Sequence, residues 1–189
     1  MTEEKKSGGQ ILKLALVLFA VAAVIALVLG AVNEVTKGPI DQYLTAKRDA
    51  AYSTVMEGAA DYEELSGYQN DPGNSITKLS VAKDADGNAM GYVAETTFSG
   101  AQGMITMVIG LDNDLVCTGI GITEHSETSG LGAKAADPND PFTQSMKGLT
   151  DGAKLAKDGG SVSAISGATL TSRAVVTEIQ TVIDAVKSL

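Results

Sequence analysis

The chain has 189 residues, 44% of them hydrophobic and 4% aromatic, with one Cys, one His, no Trp and a formal charge of −9. Residues 1–32 hold three lysines and two acids, so the negative charge belongs to the remainder, which a polynucleotide would repel and which has no basic patch interleaved with aromatics to overcome this. One Cys and one His are too few for an intrachain disulfide, a CxxC pair, an iron–sulfur site or a zinc hydrolase centre; no metal site is expected, and redox chemistry would need a bound cofactor.

Residues 14–32 are nineteen in number and carry no charge or strongly polar group. As a helix they would span roughly 29 Å, close to the hydrocarbon thickness of about 30 Å. The run exceeds the ~7–15 residue core of a signal peptide and no lipobox cysteine follows it, so it reads as an uncleaved transmembrane anchor after a tail at 1–13. Lys5, Lys6 and Lys13 precede it and Lys37, Lys47 and Arg48 follow, a balance that slightly favours a cytoplasmic N-terminus. Ala22, Ala26 and Gly30 form a small-residue stripe suited to packing on another membrane helix. Residues 33–60 read as a stalk helix, set off from the anchor by Gly38-Pro39, with Ile40, Tyr43, Leu44, Lys47 and Ala51 on the side that packs on the domain.

The domain proper is 61–189. Residues 59–75 are rich in turn residues and predict an irregular connection. Four strands are expected at 76–83, 90–98, 104–111 and 115–123. The tracts Asp86-Gly87-Asn88 and Asp112-Asn113-Asp114 between them make neighbours pair as antiparallel hairpins. With flanking helices this is an α+β fold, an N-terminal transmembrane helix followed by an antiparallel sheet, and no strand–GxGxxG–helix unit argues for a Rossmann site. Cys117 falls in the last strand as a small buried residue. That strand runs into Glu124-His125-Ser126-Glu127-Thr128-Ser129-Gly130-Leu131-Gly132, where two glycines let a flat ligand approach the main chain. A turn is expected at 138–142, and no element is assigned to 151–160.

A short β-rich run at 161–165 leads to Ser166-Gly167-Ala168-Thr169-Leu170-Thr171-Ser172. After it Val175, Val176, Ile179, Val182, Ile183 and Val186 form one helical stripe. The heptapeptide is therefore a helix N-terminus, where unpaired N–H groups and the positive end of the helix dipole can hold an anion. Gly167 and Ala168 leave the backbone open to a phosphate. The hydroxyls of Ser166, Thr169, Thr171 and Ser172 crowd this turn, and capping is the simplest use for them.

Ser-Gly-Ala-Thr-Leu-Thr-Ser resembles the flavinylation motif of the FMN-binding domain shared by the G subunit of the Rnf electron-transport complex and the C subunit of the sodium-pumping NADH:quinone oxidoreductase. The Glu127-to-Gly132 segment resembles the Glu-Thr-Pro-Gly-Leu-Gly loop of the same family, with Ser129 in place of proline, and Ser163 stands where the family motif has Asp. The resemblance implies that a flavin transferase esterifies Thr169 with the phosphate of FMN. It also implies that Ser166, Gly167, Ala168, Leu170 and Thr171, with Glu127, Thr128, Gly130, Leu131 and Gly132, surround the cofactor. By the same resemblance the domain faces outward from the cell membrane. It would relay single electrons between a membrane-embedded iron–sulfur centre and the flavin of another membrane protein, in a complex that moves sodium ions or protons. Of the two, the Rnf protein fits the short chain better than the quinone reductase protein does.

Two other function classes remain to be tested against structure. A charge-relay hydrolase would place His125 beside a nucleophilic serine, although there is no GxSxG elbow. A non-catalytic anchored module would carry no flavin at all.

Overall fold

The computed structural model describes residues 3–66 and 75–189. The described residues form two compact units, the first ending at Thr45 and the second starting at Ala46. Helix α1 (Glu3–Val55) begins in the first and ends in the second. In the first unit it leaves large apolar side chains uncovered, among them Leu18 at 72% and Phe19 at 73% exposure. It is the one helix among the described residues long and apolar enough to cross a membrane. The break expected at Gly38-Pro39 is absent, because α1 runs through Pro39. A proline removes one N–H from the ladder and strains one turn, which a long helix of good formers on both sides can bridge.

The second unit contains a five-stranded antiparallel meander in the order β1-β2-β3-β4-β5. Its strands are β1 (Asp61–Glu64), β2 (Ile76–Lys83), β3 (Ala89–Ser99), β4 (Met104–Asp112) and β5 (Cys117–His125). The α+β class and the meander agree with the sequence. Strand β1 corrects the irregular connection expected there: Asp-Tyr-Glu-Glu has no apolar alternation and pairs with Ser80–Lys83 through its backbone as an edge strand. The turn signals at residues 67–74 lie outside the described residues. Strand β5 starts two residues later than expected. The Asp112 carboxylate accepts N–H bonds from Asp114 and Val116, both at 2.9 Å, and Leu115 adopts a left-handed φ of 61°, so the turn extends past Leu115.

The turn expected at 138–142 becomes a short helix, α2 (Pro141–Gln144), which Asp140 caps by accepting from the Phe142 N–H at 2.9 Å. The β-rich run at 161–165 forms no strand; Val162 makes only an isolated bridge with Leu155, closing off a 3₁₀ turn at Ala156–Asp158.

The two faces of the sheet are covered differently. On one, helix α3 (Thr169–Lys187) buries Val175, Val176, Ile179, Val182, Ile183 and Val186 against Leu79, Ala94, Met107, Ile109 and Ile120, which is the larger core. Each such side chain contributes about 1.5–3 kcal/mol on burial. On the other face, Tyr52, Val55 and Met56 at the end of α1 meet Ala82, Val93 and Val108. The backbone approach there is close. A Cβ at Gly110 would lie 2.5 Å from the Val55 carbonyl oxygen, and one at Gly121 would lie 2.7 Å from Ala51 Cβ. Lys47 Nζ ties the same helix end to the Thr123 carbonyl at 2.6 Å.

Candidate functional site

At one end of the sheet, β5 stops at His125 and the chain carries Glu127 inward, to 8% exposure. One carboxylate oxygen, Oε1, accepts from the backbone N–H groups of Ala101 at 2.8 Å and Gln102 at 3.1 Å, in the turn between β3 and β4. The other, Oε2, accepts the Thr171 hydroxyl at 2.6 Å from the first turn of α3. Burial alone would push this carboxyl up. The donors from Thr171, Gln102 and Ala101, aided by His125, outweigh that and hold it below the usual carboxylate range.

Two glycines make room for this arrangement. A Cβ at Gly100 would sit 2.3 Å from Glu127 Oε1, and one at Gly132 would sit 2.4 Å from Oε2 and 2.8 Å from Thr171 Oγ1. Gly132 therefore faces the Glu127–Thr171 pair as well as the cleft. Gly130, with φ 76° and open space around it, supplies a turn conformation that other residues adopt at a cost.

The start of α3 is built by its own turn. Ala168 N–H donates to Ile165 O at 3.0 Å, Gly167 takes φ 77°, and Ile165 anchors the segment in the core. Ser172 Oγ donates to Ala168 O at 2.9 Å and accepts the Ile165 N–H at 3.0 Å. The N-cap position is Ala168, and no side chain caps it. The capping expected of the hydroxyls is thus corrected. Thr171 and Ser172, both at most 1% exposed, are consumed by internal bonds, whereas Thr169 is half-buried and its hydroxyl has no protein partner among the described residues.

A cleft of about 380 Å³ opens between these segments, within the roughly 300–1,000 Å³ of small-molecule sites. Glu127, Thr128, Leu131 and Gly132 form one wall, Gly167, Ala168, Thr169, Leu170 and Thr171 another, and Ala101 and Gln102 a third. Nine of the residues expected from sequence are thereby brought together. Gly130 and Ser166 are not in this lining; Ser166 lines a neighbouring cavity of about 550 Å³ with Ser163 and Lys134. Ala101 and Gln102 join the site without having been expected there, although the glycines on either side of them, Gly100 and Gly103, are a signal of close backbone approach.

The cleft suits a flavin nucleotide. The uncapped first turn of α3 presents N–H groups to an anion, and Gly167 and Ala168 leave that turn unshielded. Leu131 and Leu170, 42% and 64% exposed, offer apolar surface at the same opening. A charge-relay arrangement finds no support: His125 Nδ1 is buried without a hydrogen-bond partner among the described residues. Cys117 is buried, and burial pushes its thiol up to about 12, which leaves it inert.

Residues 100–184 match the model of the FMN-binding domain family. Over 182 residues the chain is 34% identical to the G subunit of the ion-translocating oxidoreductase complex of Methanosarcina acetivorans, covering 95% of this chain and 96% of that one. It is 32% identical to the G subunit of the Na⁺-translocating ferredoxin:NAD⁺ oxidoreductase complex of Acetobacterium woodii, covering 95% and 93%. The crystal structure of the C subunit of the Na⁺-translocating NADH-quinone reductase from Parabacteroides distasonis shares the fold, with a TM-score of 0.50 at 22% identity over 68% of this chain and 77% of that one. With near-complete coverage of the first two relatives, an FMN-binding domain and an apolar anchor helix, the chain belongs to the family of G subunits of Rnf-type ion-translocating oxidoreductase complexes.

Proposed function

We propose that this protein carries FMN as a phosphate ester on Thr169 and passes electrons within an Rnf-type complex whose turnover moves sodium ions or protons. The observation that carries the reading is the state of the hydroxyls at the start of α3. Thr171 and Ser172 are buried and already bonded, so of the three hydroxyls in the first α3 turn only that of Thr169 faces the cleft with no hydrogen-bond partner among the described residues. A flavin transferase would form the bond from Thr169 Oγ1 to the flavin phosphorus as the donor nucleotide's leaving group departs, the hydroxyl proton going to the transferase's base. The N–H groups of the first α3 turn would hold the phosphate, and Gly167 and Ala168 would let it lie close to the backbone. Ser166, three residues before Thr169, lines the adjacent cavity with Ser163 and Lys134. Thr128, Leu131 and Leu170 shape the opening for the ring, and Gly130 supplies the turn that leads into Leu131. When bound, FMN supplies one- and two-electron chemistry that no side chain of this chain provides.

In this reading residues 1–13 lie in the cytoplasm, 14–32 cross the cell membrane once, and 33–60 support a flavin domain at 61–189 on the outer side. Its partners are the other membrane proteins of the complex, one holding an iron–sulfur centre and another a flavin. Protease added to intact cells should digest the domain and spare an N-terminal tag; the reverse pattern overturns the topology. For the cofactor, wild type produced with a flavin transferase should fluoresce in a denaturing gel, and Thr169→Ala should be dark while still folded. A dark wild-type band would favour a non-catalytic anchored module, with Ser163→Asp as the variant that tests whether the transferase fails to recognise Ser163.

A further inference from the structure

We infer that Glu127 is a positioning residue that joins the three walls of the cleft and sets the electrostatic potential felt by the flavin. Glu127 is the only ionisable residue among those lining the cleft. Its two oxygens accept from Ala101, Gln102 and Thr171, so it belongs at once to the β5 exit, the β3–β4 turn and the first turn of α3. Three of a carboxylate's roughly four acceptor sites are thereby filled by the protein itself, which makes holding the walls its main task and gripping the ligand a lesser one. Gly100 and Gly132 lie so near the carboxylate that neither position accepts a Cβ without displacing it. A charge held this firmly in a low-dielectric wall acts on a neighbouring redox group more strongly than a solvated one. A fixed negative charge disfavours adding electrons, and the opposing α3 dipole favours it, so the flavin potential reflects the balance of the two.

This inference rests on the flavin reading, and its test keeps the two apart. Wild type, Glu127→Gln, Glu127→Ala, Thr171→Val and Thr171→Ser are produced as full chains in detergent with a flavin transferase. Two readouts follow: the midpoint potential of the loaded fraction, and amide hydrogen exchange at Ala101 and Gln102, which needs no flavin. Glu127→Gln keeps the shape and an acceptor but loses the charge, so its potential should rise while the two amides stay protected. Thr171→Val keeps the charge and loses a donor to it, so its potential should fall, and Thr171→Ser should restore the wild-type value. In Glu127→Ala the two amides should exchange at least tenfold faster. An unchanged potential in Glu127→Gln, or a Thr171→Ser that behaves as Thr171→Val, overturns the electrostatic role. Unchanged exchange in Glu127→Ala overturns the joining role, and a flavin-free wild type with slow exchange at both amides would retain the joining role while removing the flavin reading.

Discussion

Glu127 and Glu178 both lie buried beside or on α3, at 8% and 5% exposure, and their surroundings drive them in opposite directions. Glu127 meets three donors, two from backbone and one from Thr171, and is held below the ordinary carboxylate range. Glu178, in the middle of the helix, has one oxygen without a partner among the described residues, and burial outweighs its bond with Ser75 and raises it. Burial alone therefore does not decide whether a carboxylate is charged; the donors aimed at it do. The fully satisfied carboxylate stands at the cleft, and the half-satisfied one lies in the middle of α3.

The largest effect should come from forcing the satisfied carboxylate out of its place. Gly132→Ala puts a Cβ 2.4 Å from Glu127 Oε2 and 2.8 Å from Thr171 Oγ1. It should cost roughly 3 kcal/mol, from overpacking together with a weakened bond to a charged group. Gly130→Ala, strained only by its φ of 76° with open space around it, should cost about 1–2 kcal/mol. Urea midpoints of the two variants measure the gap, and equal losses would remove Glu127 and Thr171 from the explanation.

A smaller effect of opposite sign is expected at the other carboxylate. Glu178→Gln removes the burial of a charge and should stabilise the chain at neutral pH by about 1 kcal/mol. The pH dependence distinguishes the two sites. A folded value lowered below the unfolded one, about 4.3, means the unfolded chain binds more protons in that window. The stabilisation from Glu127 is therefore full above it and lost as pH falls through the folded value. For Glu178 the folded value is raised, so the folded chain binds more protons and stability declines as pH rises through that window. Unfolding midpoints from about pH 3.5 to 7, a range that brackets the unfolded carboxylate value, should show Glu178→Gln losing the decline and Glu127→Gln losing the acid-side rise. Parallel profiles for both variants would contradict the contrast.

Much of the sheet was legible because its turns carry their own chemistry. The Asp-rich tracts at Asp84–Asn88 and Asp112–Val116 fold through carboxylate-to-backbone bonds two and four residues away. Strand β1 was not legible, since Asp-Tyr-Glu-Glu has no apolar pattern and depends on a neighbour to pair with. The helix across Pro39 was hidden because one proline signals a break locally, whereas continuity depends on the turns on both sides. At the site, the α3 stripe and the heptapeptide before it could be read directly. The assignment of its hydroxyls could not. Thr171 is taken up by Glu127, 44 residues earlier in the chain, and no spacing within the motif reveals that partner. Ala101 and Gln102 entered the cleft for the same reason, through a carboxylate 26 and 25 residues away.

The proposed carrier of the flavin is Thr169 and not a neighbouring hydroxyl. Trypsin should release the segment that follows Lys157 and ends at Arg173, which contains Ser161, Ser163, Ser166, Thr169, Thr171 and Ser172. From wild type produced with a flavin transferase, fragmentation of this peptide in the mass spectrometer should localise one FMN ester to Thr169, and Thr169→Ala should yield the bare peptide. An ester localised to Thr171 or Ser172, or one that persists in Thr169→Ala, would contradict the assignment of those two hydroxyls to internal bonds and of Thr169 to the cofactor.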